Sequence, residues 1–197
     1  MGRIALVLGG SRSGKSAFAE RVAADMGSSV AYVATARAHG PDMVERIARH
    51  RGRRLASWRT IEAPADILSA MPADGEVDAV MLECLYTWTA NRLLALGDPR
   101  ADGWKLGAAD LENQLLSEVE SLLARARAAD WGAVLVSSEV GLGLAPEMPR
   151  QRVFRDLVGR VNERAAALAD EVYLVVAGLA VDLRRVAFSS DAIRKTS

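Results

Sequence analysis

The chain has 197 residues, of which 50% are hydrophobic and 25% are charged, and this length fits one α/β domain with a sizeable core. Lysine plus arginine and aspartate plus glutamate each number 25, so the formal net charge is zero, which argues against a protein that coats nucleic acid or an anionic membrane. The single cysteine, Cys84, excludes an internal disulfide framework, and we find no signal peptide and no apolar run long enough to span a membrane, so we expect a cytoplasmic protein.

Strand-like apolar runs alternate along the chain with helix-like amphipathic ones. The predicted strands are RIALVL (3–8), SVAYVATA (29–36), DAVMLE (78–83), WGAVLVSSE (131–139), EVYLVVAG (171–178) and a short strand at 179–183. The predicted helices are 16–27, 42–54, 110–130 and 149–170, with a short extended piece at 57–64. This alternation predicts an α/β fold with a parallel sheet covered on both faces. We expect one domain over residues 1–186 and a poorly ordered tail over residues 187–197.

A phosphate loop follows the first predicted strand. The sequence Gly9-x-x-x-x-Gly14-Lys15-Ser16 matches the full pattern, and it stands between a strand and a helix as that pattern requires. Its backbone N–H groups would converge on phosphate oxygens at the positive end of the helix. Lys15 would reach the β- and γ-phosphates, and the Ser16 hydroxyl would bind Mg²⁺. The predicted nucleotide-binding residues here are Gly9, Gly10, Ser11, Arg12, Ser13, Gly14, Lys15 and Ser16.

An acidic residue ends a neighbouring predicted strand. In DAVMLE, four apolar residues lead into Glu83, which a parallel sheet would bring to the same edge as the phosphate loop. A carboxylate at this place could hold Mg²⁺ together with Ser16. The alternative is that Glu83 only caps the helix that follows it.

The predicted helix DMVERIARHRGRR combines a histidine with many cations. It carries five arginines within nine residues around His50, which suits the binding of a polyphosphate. A neutral imidazole close to bound phosphates is also a competent nucleophile at pH 7. The alternative is a half-buried histidine on an amphipathic helix whose arginines face solvent. The only other histidine, His39, lies in a predicted loop and is taken as a surface residue.

The chain resembles the bifunctional adenosylcobinamide kinase / adenosylcobinamide-phosphate guanylyltransferase family of cobalamin biosynthesis. The matching segments are GGSRSGKS, YVATA, DMVERIARHR followed by WRTIEAP, MLECLYTWTANRL, SSEVGLGLAPEMPRQRVFRDLVGRVNERAAALADEV and LVVAGL. Ser138 and Tyr86 depart from the family pattern, which usually has Asn and Thr there. The resemblance implies a RecA-like phosphate-loop fold and a trimer.

The resemblance also implies two reactions. ATP or GTP would phosphorylate adenosylcobinamide, and GTP would then place GMP on His50 before its transfer to adenosylcobinamide phosphate, giving adenosylcobinamide-GDP. Lys15 would assist catalysis, and Mg²⁺ would bind at Ser16 and Glu83. Besides the phosphate loop, the nucleotide-binding residues carried over from the family are Ala34, Thr35, Ala36, Arg51, Gly52, Arg53, Arg54, Glu62 and Glu83.

Three alternatives stay open at this point. The chain could be a phosphate-loop kinase of another small hydroxyl metabolite, without covalent GMP. It could keep only the guanylyltransferase step. It could also be a nucleotide-dependent regulatory switch, although a histidine among arginines and the long resemblance argue against that.

Overall fold

The structure, a computed structural model, describes residues 2–37, 52, 57–97 and 104–188, with the backbone alone for residues 104–106. The strands are β1 (Ile4–Gly9), β2 (Val30–Ala34), β3 (Arg59–Glu62), β4 (Ala79–Glu83), β5 (Gly132–Ser138), β6 (Glu171–Val176) and β7 (Leu179–Asp182). The helices are α1 (Lys15–Met26), α2 (Leu85–Leu94), α3 (Trp104–Ala128), α4 (Pro149–Leu168) and α5 (Leu183–Val186).

The described strands form one sheet in the order β3-β2-β4-β5-β1-β6-β7. Every neighbouring pair is parallel except β6 and β7, which form an antiparallel hairpin at one edge. One strand, β5, separates the phosphate-loop strand β1 from β4, which ends in Glu83. This mostly parallel arrangement confirms the predicted α/β class.

Helices cover both faces of the sheet because its central strands are apolar on both sides. On one face, α2, α3 and α4 pack on side chains that include Leu6, Leu82 and Leu135. On the other face, α1 packs on Val7, Val136 and their neighbours. Burial of both faces explains why these strands read as continuous hydrophobic runs rather than alternating ones.

The structure differs from the expected elements in two of the longer helices. Helix α2 was not predicted, although Leu85, Trp88, Thr89 and Leu93 are buried along one side of it at helical spacing. Helix α3 begins at Trp104 rather than at residue 110. The predicted helix at 42–54 lies outside the described residues except for Gly52, which is helical and exposed.

Two tryptophans are core residues. Trp88 and Trp131 are both fully buried in the larger core cluster.

Among the described helices, none is at once long enough and apolar enough to cross a bilayer. The domain boundary at residue 186 and the tail beyond it remain predictions, since residues 189–197 lie outside the described part of the chain.

Candidate nucleotide site

The phosphate loop connects the buried strand β1 to the first turn of α1. Gly14 has φ +93°, in the left-handed region, and a Cβ there would lie 3.2 Å from the Cα of Gly178. A Cβ on Gly9 would lie 2.5 Å from Ser13 Oγ and 2.6 Å from the carbonyl oxygen of Val175. Larger residues at these two positions would therefore displace the loop, which explains why the pattern places glycine at both.

The lysine of the loop folds back over it. Lys15 Nζ donates a hydrogen bond to the carbonyl oxygen of Gly10 at 3.2 Å, and the residue is only 6% exposed. The backbone N–H of Lys15 points to Ser13 Oγ at 3.3 Å. No acidic residue stands in the first turn of α1, so the positive end of this helix adds to the lysine charge. The loop therefore presents a cation and a helix N-terminus to the same space, as an anion site requires.

The edge hairpin supports the phosphate loop from the side. The backbone N–H of Gly178 donates to the carbonyl oxygen of Ser13 at 2.8 Å. Gly178 and Ala177 form the two-residue turn between β6 and β7, with φ +81° and +50°, the values of a type I′ turn. The N–H of Glu139, just after β5, likewise donates to the carbonyl oxygen of Gly9 at 3.2 Å. The segment EVGLG therefore begins beside the phosphate loop.

The Glu83 carboxylate joins the phosphate loop to the sheet. Its Oε1 accepts a hydrogen bond of 2.5 Å from Ser16 Oγ, and its Oε2 accepts one of 2.7 Å from the hydroxyl of Tyr32. Glu83 is 8% exposed and Tyr32 is 4% exposed. The structure therefore brings together Ser16 and Glu83, the two predicted Mg²⁺ ligands, and adds a tyrosine that the sequence interpretation missed.

Three predicted nucleotide-binding residues lie at the end of β2, and they differ in burial. Thr35 is fully buried, and its Oγ1 accepts a hydrogen bond from the N–H of Cys84 at 2.8 Å and donates to the carbonyl oxygen of Cys84 at 2.9 Å. Its N–H donates to the carbonyl oxygen of Glu83 at 3.0 Å. Ala34 and Ala36 are partly exposed. Thr35 thus ties the end of β2 to the residues that follow β4.

Glu62 stands at the next strand end along the same edge. It ends β3, is exposed, and pairs in register with Ala34, which pairs on its other side with Glu83. Two strand spacings therefore separate the Cα atoms of Glu62 and Glu83, about 10 Å. Both carboxylates therefore lie at the carboxyl-terminal edge of the sheet, but their backbones are too far apart for the two side chains to form a close carboxylate pair.

The residues of the described site fit a magnesium ion held jointly with a nucleotide. Among the described residues, no group of three or more histidine, cysteine, aspartate or glutamate side chains could form a metal site. The hydroxyl of Ser16 and the carboxylate of Glu83 are hard oxygen donors in contact with each other. Mg²⁺ is usually bound by one or two protein oxygens together with water and substrate phosphates, and this donor set matches that pattern.

Several predicted residues lie outside the described part of the chain. They are His50, Arg51, Arg53 and Arg54. The structure also identifies residues that the sequence interpretation did not single out. Asn91 of α2 donates from its Nδ2 to the carbonyl oxygens of Thr35 and Pro64, at 2.9 and 2.8 Å, and so joins the ends of β2 and β3. The available signal was its spacing, because Asn91 follows the buried Trp88 by three residues and so borders the buried side of α2.

The chain is similar to several known proteins. In its fold the chain is similar to the crystal structure of the RadB recombinase, with a TM-score of 0.46 and 16% identity, covering 87% of this chain and 73% of that one. It is 42% identical over 183 residues to the bifunctional adenosylcobalamin biosynthesis protein CobU of Salmonella typhimurium, covering 91% of this chain and 98% of that protein. It is 40% identical over 181 residues to the protein of the same name from Escherichia coli, covering 91% and 98%. A family model described as cobinamide kinase / cobinamide phosphate guanyltransferase matches residues 5–183, so the chain belongs to that family.

Proposed function

We propose that this chain phosphorylates adenosylcobinamide with ATP or GTP and then transfers GMP from GTP to adenosylcobinamide phosphate, giving adenosylcobinamide-GDP. The observation that carries the proposal is the contact between Ser16 of the phosphate loop and the strand-end carboxylate of Glu83. This pairing is what phosphate-loop enzymes use at their nucleotide phosphates. It occurs here in a chain whose family model is described by both activities.

In the kinase step, the hydroxyl oxygen of the corrinoid side chain attacks the γ-phosphorus of the donor. A new P–O bond forms, the bond to the nucleoside diphosphate breaks, and the hydroxyl proton is lost to solvent. Lys15 would exchange its present hydrogen bond to Gly10 for phosphate oxygens and offset their charge. The loop N–H groups would hold the same oxygens in place.

In the guanylyl step, a ring nitrogen of His50 attacks the α-phosphorus of GTP. A P–N bond forms and pyrophosphate leaves; a phosphate oxygen of adenosylcobinamide phosphate then attacks the same phosphorus, and the P–N bond breaks. Two displacements avoid the direct meeting of two polyanions. The roles of His50 and of Arg51, Arg53 and Arg54 rest on the family resemblance.

Mg²⁺ would be held at Ser16 and Glu83 and would stabilise charge on the leaving phosphates. The remaining predicted nucleotide contacts, at Ala34, Ala36, Gly52 and Glu62, lie at neighbouring strand ends or on the histidine-bearing segment. Thr35 would contribute through the position of Cys84, because its hydroxyl, its N–H and its carbonyl oxygen are already bonded within the chain.

We further propose a cytoplasmic homotrimer. The single cysteine is free and buried, which suits a reducing compartment. The edge strand β7 exposes apolar side chains, with Leu179 75% and Val181 46% exposed, and exposed apolar edge strands are commonly covered by another chain. Light scattering after size-exclusion chromatography measures the mass, and a monomer at micromolar concentration would contradict the trimer.

Covalent labelling tests the proposed chemistry. The wild type, His50→Ala and the control His39→Ala are incubated with Mg²⁺ and GTP labelled at the α-phosphate or, in parallel, at the γ-phosphate. The proteins are denatured and bound label is measured. We expect α-label that is acid-labile and alkali-stable on the wild type and on His39→Ala, and none on His50→Ala, because a P–N bond has this stability pattern.

The other outcomes decide between the alternatives. Absence of α-label on folded wild type that binds GTP would refute the guanylyltransferase step and favour a kinase without covalent GMP. Equal α-label on His50→Ala and on the wild type would show that a residue other than His50 is the nucleophile. Transfer of γ-phosphate to adenosylcobinamide, followed by mass spectrometry, tests the kinase step separately.

A further inference from the structure

Tyr32 contacts the candidate site from a strand that the phosphate loop does not belong to. It stands in β2, two residues before the strand ends, and its ring is buried on the α1 face of the sheet. Its hydroxyl donates to Glu83 Oε2 at 2.7 Å. A tyrosine hydroxyl in an apolar core costs free energy unless it is hydrogen-bonded, and here the bond goes to a carboxylate in the site.

The two oxygens of Glu83 are held by different parts of the fold. Oε2 accepts from Tyr32 of the sheet, whereas Oε1 accepts from Ser16 of the first turn of α1. A carboxylate held at one oxygen loses the freedom to rotate about its side chain. The hydrogen bond from Tyr32 therefore sets the direction in which Oε1 meets the serine hydroxyl.

We propose that Tyr32 is a positioning residue for the reactions of this chain: its hydroxyl fixes the Glu83 carboxylate so that Ser16 is oriented for the nucleotide-bound Mg²⁺. The proposal rests on the proposed function, in which Ser16 and Glu83 hold that ion. Tyr32 does not touch the reacting atoms and acts only through Glu83. Residues that orient metal ligands in this way typically change metal affinity by about 10- to 100-fold when they are removed.

The chain offers a matched control for this contact. Tyr173 donates from its hydroxyl to Glu171 Oε2 at 2.8 Å, also within the sheet. Glu171 begins β6, so this second tyrosine–glutamate pair lies toward the opposite end of the parallel strands from the phosphate loop. Tyr32→Phe and Tyr173→Phe each keep the ring and remove one hydroxyl that is bonded to a carboxylate.

The experiment measures metal binding directly. Mn²⁺ is titrated into each protein saturated with a non-hydrolysable GTP analogue, and free Mn²⁺ is read from its electron paramagnetic resonance signal. Analogue affinity is also measured in EDTA, and thermal unfolding is recorded. We expect Tyr32→Phe to weaken Mn²⁺ binding by about tenfold with metal-free nucleotide affinity unchanged, and Tyr173→Phe to match the wild type in both.

A double-mutant cycle with Glu83→Gln tests the route of the effect. If Tyr32 acts through the carboxylate, Tyr32→Phe has little further effect on Mn²⁺ affinity in the Glu83→Gln background. Wild-type Mn²⁺ affinity in folded Tyr32→Phe would overturn the proposal, as would absence of Mn²⁺ binding by the wild type. Unfolding of Tyr32→Phe under conditions where Tyr173→Phe is folded would overturn it in favour of a structural role.

Failure of the proposed function is visible separately. The wild type could show neither activity while Tyr32→Phe still weakens Mn²⁺ binding tenfold. That result would refute the proposed reactions, and Tyr32 would still position Glu83 for metal binding. A wild type with both activities and an unaffected Tyr32→Phe variant would refute only the role of Tyr32.

Discussion

Replacing Thr35 by valine removes a hydroxyl that two backbone groups of Cys84 use. The side chain keeps its shape, so the effect is one of hydrogen bonding rather than of packing. The N–H of Cys84 loses its acceptor Oγ1, whereas the carbonyl oxygen of Cys84 keeps a second bond, from the N–H of Trp88 at 3.0 Å. The change therefore leaves one buried N–H unsatisfied and removes one further hydrogen bond.

These two losses set the magnitude. A buried unsatisfied donor costs about 1–3 kcal/mol and a lost hydrogen bond about 1 kcal/mol, so Thr35→Val should lower the free energy of unfolding by about 2–4 kcal/mol. Thr35→Ser keeps the hydroxyl and loses one methyl group, which costs about 1 kcal/mol. Urea unfolding followed by circular dichroism measures both variants against the wild type.

The valine variant should also bind GTP more weakly than the serine variant, because Cys84 directly follows Glu83 and moves with it. Isothermal titration with GTP and Mg²⁺ at a temperature where both variants are folded tests this part. Equal free energies of unfolding for the valine and serine variants, or a loss below 1 kcal/mol for valine, would contradict the reasoning. It would mean that water or a backbone shift replaces the hydroxyl.

Three further predictions concern other described contacts. Gly178→Ala and Gly75→Ala each force alanine to φ near +80° at a cost of about 1–2 kcal/mol, but only Gly178→Ala should weaken GTP binding in a titration, because its N–H holds Ser13; equal affinities would contradict this. Burial raises the pKa of the Cys84 thiol, so iodoacetamide should label the native protein slowly at pH 8 and the urea-unfolded protein quickly, as followed by mass spectrometry; rapid native labelling would argue against its burial. The hydrogen bond from Arg3 holds the pKa of Glu171 below its ordinary value of 4.5, so its stabilisation is present above pH 4.5 and is lost as the pH falls through the lower folded-state pKa. Glu171→Gln should therefore lower the melting temperature at pH 7, and the difference from wild type should shrink toward pH 3; a difference independent of pH would refute the assignment.

The sequence could predict the parts of the fold that follow from local patterns. The apolar run before GGSRSGKS predicts a buried strand, and the helical pattern after it predicts a strand–loop–helix unit. The structure has both, as β1 and α1 joined by the loop. Glu83 could be placed because the carboxyl ends of parallel strands meet at one edge. Helix α2 was missed because its Tyr86, Thr87 and Trp88 are not strong helix formers, although its buried positions have helical spacing.

The contacts between strands could not be read from the sequence in the same way. Tyr32 stands inside the apolar run VAYVA and reads there as one more core residue. Its hydroxyl reaches Glu83 only because β2 and β4 are neighbours in a register that pairs Ala34 with Glu83. Register depends on tertiary packing, and one sequence alone does not give it.

The strand order also governs when the site forms during folding. The contact between Ser16 and Glu83 joins residues 67 positions apart, and that between Tyr32 and Glu83 joins residues 51 apart. Parallel strands cannot pair through a tight turn, so such contacts close late and slowly. The site therefore exists only after β1, β2, β4 and the intervening β5 are assembled, and a nucleotide that needs it binds the completed fold alone. Nucleotide should then raise the apparent stability in proportion to the logarithm of its concentration, and its binding serves as a readout of finished folding.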